Sequence, residues 1–272
     1  MFSPYYAWAR RFGPADPMDH CALNVVLYGD DKRWTLTERR RSSIERSPTH
    51  FRIGPSALSW EGDTLVVRIN EVTAPVPSPV RGVVRLHPIA IENRVLTLDA
   101  AGRHRWSPIA PCARAEVDLE TPALRWSGPA YFDTNDGDAP LEADFARWDW
   151  SRAAVPHGTS VLYEVTRRDG TALSLSMAYD AKGGVEDFEP PPHAELPRTR
   201  WWRMVRGTRA DAGHPVTVVK TLEDTPFYSR SVLSTRLRGQ NLTAMHESLC
   251  LNRFRSLGIQ WMLPFRVPRE RR

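Results

Sequence analysis

Residues 113–120, with the sequence ARAEVDLE, alternate an apolar and a charged residue at every position. Successive side chains of a β-strand point to opposite faces, so this pattern predicts a strand with an apolar inner face and a charged outer face. Short apolar runs separated by turn residues recur on both sides of it, about every ten positions. This spacing is typical of all-β sandwiches and barrels, and helical patterns are scarce.

Two turns mark predicted hairpins within this series. Glu61-Gly62-Asp63 separates residues 58–60 from 65–69, and Asp169-Gly170 separates residues 161–165 from 173–177. Glycine and aspartate are the residues that tight hairpin turns require. Further strands are predicted at residues 21–28, 34–38, 82–86, 95–98, 126–133, 201–206, 216–222, 229–237 and 242–251.

A domain boundary is predicted within residues 136–155. The acidic sequence DTNDGD at 133–138 reads as a turn, and the short amphipathic stretch LEADFARWDW follows it. A second all-β block begins near residue 160. We therefore expect an N-terminal domain at residues 1–145 and a C-terminal domain at residues 146–272.

Composition excludes several classes of protein. The chain has 272 residues, of which 41% are hydrophobic and 25% charged, as in soluble globular proteins. It contains no apolar run long enough for a transmembrane helix, and its start lacks the apolar core of a signal peptide. Cys21, Cys112 and Cys250 lie too far apart for a zinc motif or a disulfide framework.

The net charge of +5 raises the question of a nucleic-acid partner. Arginines are spread through predicted strands and turns, and no RNA-binding or zinc-finger signature accompanies them. We expect no nucleic-acid partner. The ten tryptophans point instead to an apolar cavity with large rigid walls.

Two predicted strands each place two chemically capable residues two positions apart. His104 and Trp106 share one face of their strand, and Tyr131 and Asp133 share one face of theirs. A carboxyl group among an imidazole and aromatic rings could protonate a poor base such as an alkene and shelter the resulting cation. The structural alternatives are that Asp133 caps the acidic turn, that the rings pack in a core, and that His104 is structural.

Other candidates have weaker support. Glu71 shares the parity of inward-facing neighbours, although a strand end that points into solvent is the favoured interpretation. Asp224 and His246 are interpreted as structural. Residues 259–272 combine aromatic residues with several arginines, so they either dock at an anionic membrane interface or form a last strand followed by a basic tail.

The order of several motifs resembles that of the carotenoid 1,2-hydratase (hydroxyneurosporene synthase) family. The resemblance extends over essentially the whole chain. The motifs are FSPYYAWAR (2–10), DHCALNV (19–25), IGPSALSWEGD (53–63), RLHP (85–88), HRW (104–106), APCARAEVDL (110–119), ALRWSG (123–128), YFD (131–133), WDWSR (148–152) and TLEDTPFYSRS (221–231).

This resemblance implies a fold and an activity. The fold is two lipocalin-like antiparallel β-barrel domains with few short helices. The activity is cofactor-independent addition of water to the terminal 1,2 double bond of acyclic carotenoids such as neurosporene and lycopene, in phototrophic bacteria. Members of that family usually carry a further Trp/Tyr-rich strand pair before FSPYYAWAR. Either the first domain lacks this pair and is completed differently, or the true start of the chain lies before Met1.

The family's catalytic residues correspond to His104, Trp106, Tyr131 and Asp133. Asp133 is expected to be the acid, kept protonated because burial among aromatic rings raises its pKa. Trp106 and Tyr131 are expected to stabilise the cation. His104 is expected either to hydrogen-bond Asp133 or to accept a proton from the attacking water.

The expected partners are the carotenoid and water, with peripheral contact to the inner or photosynthetic membrane from the cytoplasmic side. Two other functions stay open at this point. One is a lipocalin-like isomerase or cyclase that acts on another polyene without adding water. The other is a non-enzymatic carotenoid or lipid carrier, which would bind its ligand by apolar burial alone.

Overall fold

A computed structural model describes residues 3–270 of the chain. Strands make up most of it, and the paired strands run antiparallel. The strands are Asn24–Leu27 (β1), Arg33–Leu36 (β2), Ile44–Arg46 (β3), His50–Ile53 (β4), Ser56–Glu61 (β5), Thr64–Val72 (β6), Pro79–Pro88 (β7), Leu96–Thr97 (β8), His104–Thr121 (β9), Leu124–Gly137 (β10), Phe145–Val155 (β11), Gly158–Arg167 (β12), Ala172–Asp180 (β13), Val185–Asp187 (β14), His193–Leu196 (β15), Arg206–Arg209 (β16), Thr217–Asp224 (β17), Tyr228–Leu237 (β18) and Gln240–Cys250 (β19).

Helices are few and short. They are Pro4–Ala9 (α1), Leu141–Asp144 (α2), Leu251–Phe254 (α3) and Leu257–Met262 (α4), with 3₁₀ turns at Pro17–His20, Arg41–Ser43 and Leu263–Phe265. The predicted all-β class with few short helices is confirmed. Within residues 3–270 no helix combines the length and the apolar composition that crossing a bilayer requires.

Two large sheets carry most of the strands. In the first sheet the order is β10-β9-β7-β6-β5-β4-β3, with β8 also paired to β9. In the second sheet the order is β14-β13-β12-β11-β19-β18-β17. Most neighbours in each sheet are consecutive in sequence, because short turns join antiparallel strands. The pairs β1-β2 and β15-β16 form two small additional sheets.

The ARAEVDLE segment lies in β9 and behaves as its pattern predicts. All four of its apolar side chains are buried, and the charged side chains between them are exposed or partly exposed. Val117 and Leu119 pack with Ile69 and Val80 in one hydrophobic cluster. Burial of a side chain of this size stabilises the fold by about 1.5–3 kcal/mol.

The chain divides into two compact units whose sequence ranges interleave. The first unit comprises Met1–Pro88, Ala113–Ala130 and Leu257–Arg272, and the second comprises Ile89–Cys112 and Tyr131–Ser256. Strands β9 and β10 therefore contribute residues to both units. The expected division into domains at residues 1–145 and 146–272 follows chain order and stays a prediction.

The second unit has a hydrophobic cluster of its own. It is formed by Ala153, Leu196, Leu233 and Ala244, which come from β11, β15, β18 and β19. The hairpin predicted at Asp169-Gly170 joins β12 to β13, as the pairing of Thr166 with Ala172 shows.

Two predicted elements differ from the structure. The acidic sequence at 133–138 is not a turn, because β10 continues to Gly137. Arg105 on neighbouring β9 stabilises this extension by binding Asp136 at 2.7 Å and Asp138 at 3.1 Å. The strand predicted at 201–206 is also wrong: residues 201–205 form turns and loop, and β16 begins at Arg206.

The C-terminal segment is helical, so the prediction of a last strand there is wrong. Leu257 and Trp261 are four positions apart, which places them on one side of α4. After the 3₁₀ turn the chain returns to β-type pairing, where the Glu38 amide donates to Pro268 and the Glu270 amide donates to Glu38. The last two residues of the predicted basic tail, 271–272, lie outside the described residues.

Candidate active site

The candidate site lies in the second unit, where the first residues of β9 neighbour the last residues of β10. Burial alternates at the start of β9: His104 and Trp106 are buried, and Arg105 between them is not. Tyr131 and Asp133 share a face of β10 in the same way. The two-residue spacing therefore places His104 and Trp106 on one face of β9, and Tyr131 and Asp133 on one face of β10, as the sequence predicts.

Trp106 and Tyr131 both hydrogen-bond the carboxyl group of Asp133. The indole Nε1 of Trp106 donates to Asp133 Oδ2 over 2.7 Å, and the hydroxyl of Tyr131 donates to the same oxygen over 3.2 Å. Two side-chain donors thus fix the orientation of the carboxyl group through Oδ2.

The surroundings of Asp133 raise its pKa. Desolvation by the surrounding protein is the largest cause, and the negative charge of Glu247 acts in the same direction. The hydrogen bonds from Trp106 and Tyr131 stabilise the carboxylate and oppose the shift, but they do not cancel it. The side chain keeps some solvent-accessible surface, so a carboxyl group with raised pKa remains within reach of a ligand.

Aromatic rings surround this carboxyl group. The rings of Trp106 and Tyr163 lie 4.6 Å apart between centroids, and Trp148 follows at 5.3 Å from Tyr163. On the other side, Tyr131 lies 5.3 Å from Trp150. These contacts form one wall of three rings, Trp106, Tyr163 and Trp148, and a separate pair, Tyr131 and Trp150.

Tyr131 and Tyr163 both stay protonated. Desolvation raises the pKa of each phenol well above its ordinary value, and the negative charge of Asp133 adds to the effect. The hydroxyl of Tyr163 donates to Asn135 over 2.6 Å. Arg152 covers one face of the Tyr131 ring, with its guanidinium carbon 5.5 Å from the ring centroid. A ligand therefore meets Tyr131 through its hydroxyl group or its opposite face.

His104 has a different carboxyl partner from the one predicted. Its Nε2 lies 2.7 Å from Oδ2 of Asp144, and its ring packs edge-on against Phe145 at 4.8 Å. Gly137 closes the other side, since a Cβ there would lie 2.7 Å from Nδ1. The expected hydrogen bond from His104 to Asp133 is therefore wrong. The imidazole sits about 7 Å along the strand from Trp106.

The weaker candidates have identifiable structural partners. Glu71 is buried, which contradicts the favoured solvent-facing interpretation, and it accepts hydrogen bonds from Arg39 at 2.8 Å and Ser56 at 2.7 Å. Asp224 accepts the backbone amide of Trp201 over 2.7 Å. His246 is buried, and its Nε2 donates to a backbone carbonyl over 2.8 Å.

Sequence reasoning missed several residues of the site. Trp148 and Trp150 on β11 show the same two-residue spacing that singled out His104 and Trp106. That signal was present in the sequence WDWSR. Tyr163 and Asp144 carried no such signal, because their roles depend on strand pairing, such as that of Trp150 with Tyr163.

Comparisons with known proteins place this chain in a family. The family model described as carotenoid hydratase CrtC matches residues 1–272, which confirms the resemblance found in the sequence. The acyclic carotenoid 1,2-hydratase of Thiocapsa roseopersicina is 57% identical over 270 residues, which cover 99% of this chain and 67% of that protein. The enzyme of the same name from Rubrivivax gelatinosus is 49% identical over 277 residues, with the same two coverages.

One solved structure is similar in fold alone. The crystal structure of CghA has a TM-score of 0.51 at 11% sequence identity, and the match covers 84% of this chain and 74% of that one. Identity this low supports the all-β architecture and carries no information about the reaction.

Proposed function

The chain belongs to the carotenoid hydratase CrtC family and is thus a hydro-lyase of acyclic carotenoid biosynthesis, and we propose that it hydrates the terminal 1,2 double bond of neurosporene and lycopene with Asp133 as the acid. The observation that carries this proposal is the Asp133 carboxyl group. Its pKa is raised by desolvation, two neutral donors orient it, and aromatic rings surround it.

The first step is protonation of the alkene. With Oδ2 bound by Trp106 and Tyr131, Oδ1 carries the proton. The π electrons of the double bond take this proton at C2, so C1 becomes a tertiary carbocation and Asp133 becomes a carboxylate. The raised pKa favours this step, because it increases the protonated fraction at neutral pH.

Aromatic rings then stabilise the cation. A desolvated cation over the face of a tryptophan gains about 2 kcal/mol, which corresponds to about thirtyfold in rate at ~1.4 kcal/mol per decade. One ring is too little for a hydratase, so the new Asp133 carboxylate must contribute electrostatic stabilisation as well. The Trp106–Tyr163–Trp148 wall is the better candidate, because Arg152 already covers one face of Tyr131.

Water captures the cation at C1, and the oxonium ion returns its surplus proton to the Asp133 carboxylate. Alkene and water are consumed, the alcohol forms, and the acid is regenerated.

His104 is assigned a positioning role in this proposal. Asp144 binds its Nε2, and the Asp99 carboxylate accepts its backbone amide over 2.7 Å. These contacts hold the start of β9, and with it Trp106, in place. Direct proton transfer to His104 is the alternative. A His104→Gln variant distinguishes the two, because a positioning role lowers kcat without removing a limb from the pH profile.

The test is hydration in ¹⁸O-labelled water. Purified protein is mixed with lycopene or neurosporene dispersed in detergent, and products are analysed by mass spectrometry. We expect a 1-hydroxy product heavier by one labelled water. A product of unchanged mass would support the isomerase or cyclase alternative. Tight binding without any product would support the carrier, and either result would refute the proposal.

A further inference from the structure

Four large aromatic side chains in the N- and C-terminal segments of the first unit are exposed. The exposed fractions are 46% for Trp8, 77% for Phe12, 69% for Trp261 and 79% for Phe265. We call these four residues the aromatic patch. Contiguous apolar surface of this kind is uncommon on soluble monomers and marks an interaction site.

Contacts between two distant segments assemble the aromatic patch. Trp8 of α1 lies 5.8 Å from Trp261 of α4 and 5.5 Å from Phe12, measured between ring centroids. Arg11 donates to Gln260 over 2.9 Å, which ties the end of α1 to α4. Trp8, Phe12 and Trp261 therefore form one preformed surface, and Phe265 follows in the 3₁₀ turn directly after α4.

The two segments that carry the aromatic patch are basic. Residues 3–13 and 257–268 contain three arginines and no acidic residue, and Arg269 after them is paired with Asp19 and Glu38. Arg10, Arg11 and Arg266 are exposed, and Arg11 and Arg266 adjoin Phe12 and Phe265 in sequence. Arg11 also lies over the Trp8 ring, 5.5 Å from its centroid. Guanidinium groups in this arrangement suit phosphate groups beside an apolar phase.

We infer that the aromatic patch inserts into the interface of a bilayer that contains anionic lipids. Tryptophan and phenylalanine favour the boundary between headgroups and acyl chains, and arginines beside them bind lipid phosphates. The inference rests on the proposed function to the extent that an acyclic carotenoid dissolves in bilayers and has to be collected there. It also extends the membrane contact expected of the C-terminal segment to α1.

The experiment measures binding of the full chain to carotenoid-free vesicles. Sedimentation is compared for vesicles of phosphatidylcholine alone and of phosphatidylcholine with phosphatidylglycerol. We expect wild-type protein to bind the anionic vesicles, and the Phe12→Ser/Phe265→Ser variant to bind them roughly tenfold more weakly. Both side chains are largely exposed, so their loss leaves the core unchanged.

Trp201→Ser is the matched control. Trp201 is 74% exposed, and its ring centroid lies 5.2 Å from the guanidinium carbon of Arg200. It belongs to the second unit and lies outside the aromatic patch. We expect this variant to bind vesicles like wild type. An equal loss of binding in Trp201→Ser would overturn the inference, since binding would then follow exposed aromatic content in general.

Two further outcomes separate this inference from neighbouring ones. A dimer in sedimentation velocity that Phe12→Ser/Phe265→Ser dissociates would assign the patch to a second copy of the chain and overturn the inference. Hydration of detergent-dispersed lycopene should be equal in wild type and variant. If neither hydrates lycopene while vesicle binding still differs, the proposed function fails and the inference stands.

Discussion

Replacement of Asp133 by asparagine is the most direct test of the proposed acid. Asparagine keeps a carbonyl oxygen for the donors Trp106 and Tyr131, so both hydrogen bonds to Oδ2 have a substitute acceptor. The amide has no proton acidic enough for an alkene. General acid catalysis contributes about 10²- to 10⁴-fold. We therefore expect kcat/KM to fall by about 10³-fold, or ~4 kcal/mol in activation free energy.

Stability should change little in this variant. The amide fills the same volume, and the site keeps some solvent access. We expect the free energy of unfolding to change by about 1 kcal/mol or less, as measured by urea denaturation. Asp136→Asn is the matched control: Asp136 lies on the same strand but is exposed and pairs with Arg105. It should keep full activity.

The assay is the initial rate of hydroxycarotenoid formation at saturating and limiting substrate. Retention of more than about a tenth of wild-type kcat/KM by a folded Asp133→Asn protein would refute the argument. So would an equal loss in Asp136→Asn, because the effect would then follow from charge on β10 rather than from the proton source.

Three further predictions concern Tyr131, His246 and the buried ion pair of Arg39 and Glu71. Tyr131→Phe removes a hydrogen-bond donor that lowers the pKa of Asp133. The alkaline limb of the kcat/KM profile, where the acid loses its proton, should therefore move to higher pH. A move to lower pH would contradict this prediction. Burial lowers the pKa of His246, so its contribution to stability is present above pH ~6.5 and is lost as pH falls through the folded-state pKa. His246→Gln should therefore flatten the acid side of the stability profile in urea denaturation, and an unchanged slope would exclude His246 as its source. Arg39→Met removes the ion-pair partner of the buried Glu71 and should lower the free energy of unfolding by about 3 kcal/mol. The double variant Arg39→Met/Glu71→Leu should restore most of this loss. Equal losses in both variants would contradict a role for the charge.

Periodicity predicted the parts of the fold that depend on local alternation. The ARAEVDLE strand and the meeting of Trp106, Tyr131 and Asp133 follow from the rule that residues two apart share a face. The same kind of reasoning wrongly predicted a turn at 133–138. Its turn composition was overridden by ion pairs to Arg105, a residue about thirty positions away whose proximity only the sheet creates.

The sequence does not predict hydrogen-bond partners that only long-range strand pairing brings together. A hydrogen bond to Asp133 was one of two roles predicted for His104, yet Asp144 binds it, because a four-residue helix places that carboxylate beside β9. Glu71 has parity for the interior, but nothing local indicates that Arg39 arrives there from 32 positions away. The sequence predicts that a strand starts at Trp201, whereas the backbone amide of Trp201 donates to Asp224 in a turn.

The interleaved ranges of the two units have a consequence for synthesis of the chain. Residues 257–272 belong to the first unit, although the rest of that unit ends at residue 130. A ribosome therefore releases every residue of the second unit before it supplies the last piece of the first, where Pro268 and Glu270 bind Glu38. Domains usually mature in the order in which they emerge. In this chain the unit that starts first finishes last, so a nascent chain arrested anywhere before residue 257 carries an incomplete first unit.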